Sequence, residues 1–200
     1  VGSVLSSMSI YGEAAKKSLV ANNPERVSQL IDMIGENARE TMGNMSDIVW
    51  SINPINDNGL KLFNKMEAYA NSQLSASGVD FNYTVDDKLY NENFLMPVRQ
   101  NVFFIFKEII NYCATPAPAK SVSVNFGKCG EQFIMEVTND GKCFSNPSPK
   151  EKGWSDVLAG NGFKNLTKRA DELGGKIKVE LTYTGTKITL QFLINQHYPV

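Results

Sequence analysis

The chain has 200 residues, is 42% hydrophobic, and sets 20 Lys and Arg against 21 Asp and Glu for a formal net charge of −1. That is enough apolar material for one large domain or two small ones, without the charge field that nucleic acid or an anionic membrane surface selects. Cys113, Cys129 and Cys143 show no CxxC spacing and His197 is the only histidine, which argues for free thiols in a reducing compartment and against a disulfide frame, a zinc site or a His-based triad. No apolar run reaches membrane-spanning length, and the first residues do not read as a signal peptide.

Val1, Leu5, Met8, Gly12, Ala15 and Leu19 are spaced by fours and threes, the seam of a heptad helix. Ala21-Asn22-Asn23-Pro24 breaks it, with Asn23 suited to cap the next helix and Pro24 to its first turn. Val27, Ile31, Ile34, Ala38, Thr41, Met45, Ile48 and Ile52 repeat the seam, and Asn53-Pro54 ends it. Leu30, Met33, Met42, Val49 and Trp50 widen the stripe beyond what one partner covers. The reading is an antiparallel hairpin over residues 1–53 that pairs with a second copy as a four-helix bundle. The alternative is that the stripe packs on the rest of the chain.

Residues 54–59 are polar and turn-rich, a linker and hinge. Leu60–Ala76 reads as an amphipathic helix, Val79–Val85 as a strand and Asp86–Asn93 as a loop. Asn101–Pro116, NVFFIFKEIINYCATP, reads as a helix apolar almost all round, so both faces should be covered. Glu108 sits inside it, and an ionised Glu is costly to bury unless paired or employed. Ser121–Phe126 and Gln132–Val137 read as strands joined at Gly127-Lys128-Cys129-Gly130. Asn139–Asn161 has the composition of a lid or a disordered loop. Gly162–Leu173 reads as a helix, and Lys176–Thr182 and Lys187–Ile194 as strands joined at Tyr183-Thr184-Gly185-Thr186. Segregated helices and strands predict an α+β class, with a helical hairpin followed by an α/β sandwich over residues 60–200. Gly160-Asn161-Gly162 before a helix fits a phosphate at a helix N-terminus, although ordinary caps look the same.

Ser-Ile-Asn-Pro after Val49-Trp50, Phe-Lys-Glu at 106–108, Gly-Asn-Gly-Phe-Lys-Asn-Leu at 160–166 and Arg-Ala-Asp-Glu-Leu-Gly-Gly at 169–175 together resemble the catalytic core of a sensor histidine kinase. The similarity is to the branch of the nitrate and desaturase sensors, and the second part resembles the ATPase fold shared with gyrase, Hsp90 and MutL. The resemblance implies ATP and Mg²⁺ as cofactors, a homodimer, transfer of the γ-phosphate to a histidine, and its passage to a response regulator receiver domain. It also implies a cytoplasmic fragment of a membrane-anchored sensor. Aligning Gly2 with the family's glycine puts the phosphoacceptor histidine just upstream of Val1, and Ser3 falls on the position associated with dephosphorylation.

By the same resemblance Glu108 is the catalytic residue, polarising the water shell of Mg²⁺. The metal-ligand position falls on Tyr112, and Asn111 is one residue, about 100° of helix, away. The adenine-binding acid falls on Asn139, which accepts a hydrogen bond without a charge. Gly141 matches the first lid glycine and Cys143 stands at the second. Gly160, Asn161 and Gly162 keep the phosphate element, and Thr186 matches the threonine beside adenine. Two functions remain open: a two-component kinase fragment, or a degenerate relative acting as a dimeric signalling scaffold. A gyrase- or Hsp90-like ATPase is disfavoured because those proteins begin with the ATPase fold itself.

Overall fold

The computed structural model describes residues 2–114, 119–140, 161–183 and 185–194. The chain divides into two compact units, Val1–Ile52 and Asn53–Val200.

The first unit is the expected hairpin. Helix α1 (Gly2–Val20) packs on α2 (Pro24–Ile52). Asn22 turns the chain with φ of 54°, a left-handed conformation that Asn tolerates better than most residues. The Asn23 side chain accepts the Arg26 N–H at 3.1 Å and so caps α2. Leu30 is the buried apolar residue of this unit, while Leu5, Leu19, Ile31, Met42, Met45, Ile48 and Ile52 are exposed. The predicted seam therefore differs from the covered one. On α2 the covered positions include Val27, Leu30, Ile34, Asn37, Ala38 and Thr41 and continue at Asp47 and Ser51, so Val27, Ile34, Ala38 and Thr41 of the expected seam are covered and Ile31, Met45, Ile48 and Ile52 are not.

The second unit carries one five-stranded sheet, ordered β1-β2-β3-β5-β4. Its strands are β1 (Asp80–Val85), β2 (Ser121–Cys129), β3 (Gln132–Asn139), β4 (Lys176–Thr182) and β5 (Gly185–Leu193). β1 and β2 are parallel and the other neighbours antiparallel. Val122, Val124 and Phe126 of β2 are buried and alternate with Ser121, Ser123 and Asn125, as a sheet with one covered face requires. The covered face receives α3 (Gly59–Ala76), α5 (Met96–Ala114) and α6 (Asn161–Glu172), with α5 packed against both of the others. Phe63, Phe94, Phe126 and Phe133 meet in the core between helices and sheet. The class is α+β, as expected.

Several boundaries moved. α5 begins at Met96, five residues before its expected start, because Pro97 falls in the first turn, where a missing N–H costs no intrahelical bond. The expected loop 86–93 contains a short helix, α4 (Asp87–Tyr90), capped by Asp86 accepting the Lys88 N–H at 3.0 Å. β2 continues through Gly127, Lys128 and Cys129, so its turn is Gly130-Glu131, with Gly130 at φ of 59°. Gly185 and Thr186 are likewise inside β5 and not in a turn.

The expected hinge is bonded into the second unit. Pro54–Asn56 forms a 3-10 turn capped by Asn53. The Phe94 N–H donates to the Asp57 carbonyl at 2.7 Å and the Gly59 N–H to the Glu92 carbonyl at 2.9 Å. The guanidinium of Arg99, with no exposed side-chain surface, pairs with the Asp57 carboxylate. It also donates to the Asn53 carbonyl at 3.2 Å and the Phe94 carbonyl at 3.1 Å. Polar composition suggested freedom at this stretch, but its polar groups are the acceptors for a buried arginine.

Candidate functional site

The apolar positions of α5, including Val102, Phe106, Ile109 and Cys113, are buried. Its half-covered residues divide into two stripes. On one, the Tyr69 hydroxyl of α3 donates to Asn111 Oδ1 at 2.5 Å, and Lys107 lies 5.4 Å from the Tyr69 ring centre. The other begins at Phe104, which with the buried Asn101 meets α6. Arg169 donates to Asn101 Oδ1 at 3.0 Å and stacks 4.8 Å from the Phe104 ring centre. Continued by fours, this second stripe carries Glu108 and Tyr112. The α6 side of α5 therefore holds Glu108 and Tyr112, while Asn111 faces α3.

Glu108 and Tyr112 interact directly. The Tyr112 hydroxyl donates to the Glu108 carboxylate. Burial, then the charge of Glu108, then this hydrogen bond push the phenol above its ordinary pKa. The oxygen at position 112 is thus a neutral hydroxyl already engaged with the neighbouring acid.

The C-terminal end of α5 meets the sheet at a second cluster. Asn139 at the end of β3 is buried, and its Nδ2 donates to Cys113 Sγ at 3.7 Å. Thr186, its cross-strand partner on β5, is 1% exposed, so the two side chains share the helix-covered face. Among the described residues Thr186 Oγ1 has no hydrogen-bond partner. A buried hydroxyl without a partner is costly, and an adjacent acceptor or donor from a ligand would relieve it. Gly185 permits the geometry. Its φ is 153°, and a Cβ there would lie 1.8 Å from the Asn139 carbonyl oxygen. Asp140 next to Asn139 is no substitute for the missing acid, because its carboxylate accepts the Lys120 and Ser121 N–H groups, each at 2.8 Å.

The adenine and phosphate ends of the implied nucleotide fit this chain differently. Asn139 and the orphaned Thr186 hydroxyl offer polar atoms to a purine. At the other end, Glu108 and a phenol are a poor donor set for Mg²⁺, which takes several hard oxygen ligands in octahedral geometry. Gly141, Cys143 and Gly160 lie outside the described residues. Asn161 and Gly162 form the start of α6, so their backbone amides stand at a helix N-terminus. A cleft of about 360 Å³ at the ends of β3 and β5 is bordered by Asn139 and Thr186 together with Ser121, Ser123, Thr138 and Lys187 among others, and its lining does not include Glu108 or Tyr112.

Sequence reasoning missed Arg99, the Tyr112–Glu108 bond and the occupation of Asn111 by Tyr69. The first two had signals: a lone cation between Val98 and Val102 calls for a buried acceptor, and positions 108 and 112 are neighbours on any helix. The third depends on how α3 and α5 pack, which no local pattern specifies.

No protein-family model matches the chain, and no curated protein matches it. Solved structures do resemble it. Histidine kinase AdeS of Acinetobacter baumannii has a TM-score of 0.64 at 8% identity, over 98% of this chain and 99% of that one. The histidine kinase domain of the blue-light-activated kinase of Erythrobacter litoralis has a TM-score of 0.56 at 18% identity, over 74% of this chain and 66% of that one. The nucleotide-free catalytic domain of histidine kinase ThkA has a TM-score of 0.53 at 16% identity, over 68% of this chain and 94% of that one. At these identities the likeness establishes the fold: a histidine-kinase-like helical region followed by an ATPase-type sandwich. Among the described residues no helix is long and apolar enough to cross a membrane.

Proposed function

We propose that this chain is the dimerising and adenine-nucleotide-binding part of a sensor histidine kinase. The observation that carries the reading is the buried Thr186 hydroxyl, which has no hydrogen-bond partner among the described residues and stands beside Asn139, in a sheet of the ATPase type. ATP would place its adenine against these two side chains, with Glu108 toward its phosphates. When bound it supplies the phosphoryl group that passes to a histidine and then to a response regulator receiver domain. The exposed apolar residues of α1 and α2 support pairing with a second copy through residues 1–53, and on this reading the piece lies in the cytoplasm, behind a membrane-anchored sensor.

A second reading, a dimeric signalling scaffold without phosphoryl transfer, is favoured by the Tyr112–Glu108 hydrogen bond. It occupies the acid that would order water around the metal. Both readings share adenine binding, which calorimetry with ATP and ADP tests directly. Thr186→Val should weaken binding about fivefold, the worth of one neutral hydrogen bond. Unchanged affinity in that variant would remove Thr186 from the site. Transfer of labelled phosphate from ATP to a histidine-bearing substrate chain then separates kinase from scaffold.

A further inference from the structure

Resting on that adenine-binding reading, we infer that this chain takes its adenine nucleotide without a protein-held metal ion, Tyr112 standing beside Glu108 at the metal position. The ligand class is the metal-free adenine nucleotide, with ADP bound at least as tightly as ATP.

The argument starts from the helix. Residues 108 and 112 lie one turn apart on the same face of α5, and both are partly covered. The Tyr112 hydroxyl donates to the Glu108 carboxylate, so a neutral hydroxyl stands beside the acid. A phenol binds a hard cation well only as phenolate. A phenol of ordinary acidity keeps its proton at neutral pH. The carboxamide that could have served instead, Asn111, is turned to α3 and accepts from Tyr69 at 2.5 Å. No group of three His, Cys, Asp or Glu side chains able to hold a metal occurs among the described residues.

The adenine end does not share this loss. Asn139 and Thr186 are positioned by strand register and by the C-terminal turn of α5, not by the Glu108 pair. Recognition of the base is therefore separable from recognition of a metal–phosphate complex. Without a metal to screen it, Glu108 opposes each added phosphate charge, and this sets the expected order of nucleotides.

The test is calorimetric titration of the chain with AMP, ADP and ATP, each in Mg²⁺ and again in EDTA. Exchanging Mg²⁺ for EDTA should change the ADP affinity by less than about twofold. Tyr112→Asn and Tyr112→Asp each supply an oxygen ligand, and should gain about fivefold or more in affinity with Mg²⁺ over EDTA. Circular dichroism checks that each variant folds. Strengthening of wild-type binding by about tenfold or more with Mg²⁺ would overturn this inference while leaving adenine binding intact. Wild-type insensitivity that persists in both folded variants would remove Tyr112 as its cause. Absence of binding by all three nucleotides in both buffers would overturn the adenine reading and this one with it.

Discussion

Removing the carboxylate of Asp57 probes how the second unit is closed at its beginning. In Asp57→Ala the Arg99 guanidinium, whose side chain has no exposed surface, loses the carboxylate it pairs with and keeps the carbonyls of Asn53 and Phe94. Breaking a buried ion pair on one side costs about 3–5 kcal/mol. Asp57 itself is 28% exposed, so water can reach the vacated position, and about 2–3 kcal/mol is the expected loss. For a domain of this size each kcal/mol moves the melting temperature by about 2–4 °C, which predicts a fall of about 4–12 °C. Differential scanning calorimetry reads the shift, and hydrogen exchange should show the first turn of α5 opening first. Asp57→Ala with Arg99→Leu should recover much of the loss, because an apolar side chain at 99 leaves no buried charge. A single variant melting within about 2 °C of wild type, or a double variant losing the sum of both single effects, would refute the account.

Gly185→Ala places a methyl 1.8 Å from the Asn139 carbonyl oxygen at a φ of 153°, so stability should fall by about 1–3 kcal/mol in denaturant titrations, with adenine nucleotide affinity falling too. Wild-type behaviour in both would mean the strand end adjusts freely. Tyr83 donates to the Phe63 carbonyl at 2.9 Å, and burial, with the charges of Glu67 and Tyr90, raises its pKa far above the usual value. A folded-state pKa above the unfolded one contributes stability in full below about pH 10, and that contribution is lost as pH rises further. Absorbance of phenolate should show fewer than the chain's seven tyrosines ionising before unfolding. Ionisation of all seven with native circular dichroism would contradict the burial argument. Met45 and Ile48 are 51% and 39% exposed. Light scattering should give a dimer for wild type and a monomer for Met45→Glu with Ile48→Glu, helix content being unchanged, and a wild-type monomer would defeat the bundle.

What could be read from the sequence follows from which interactions are local. The hairpin was legible because capping at Asn23 and helical spacing act within one or two turns. The sheet was legible because alternation in β2 and β3 is an in-strand property. Turn positions were less legible. Glycine at 127 suggested a turn, yet a strand interior tolerates it when the ladder continues to Gly130, whose positive φ makes the actual corner. The linker misled for a deeper reason. A polar stretch looks free until the buried arginine that requires its acceptors is known, and Arg99 is 42 residues from Asp57 in sequence.

The same distinction runs through the candidate site. The Tyr112–Glu108 contact is a one-turn relation and needed only helical geometry to foresee. The Thr186 hydroxyl becomes informative only when β5 is registered against β3 and α5 covers the pair, since burial creates the unmet bond. On the proposed reading, a local choice of residue at Tyr112 sets the metal end of the site, whereas the adenine end depends on packing that the whole core enforces. Substitution at Tyr112 should therefore change metal dependence with little effect on stability, while disturbance at Gly185 should change stability and base recognition together. Calorimetric profiles of Tyr112→Asn and Gly185→Ala, compared side by side, test that division. Equal losses of melting temperature in the two variants would show that the two ends are one structural unit after all.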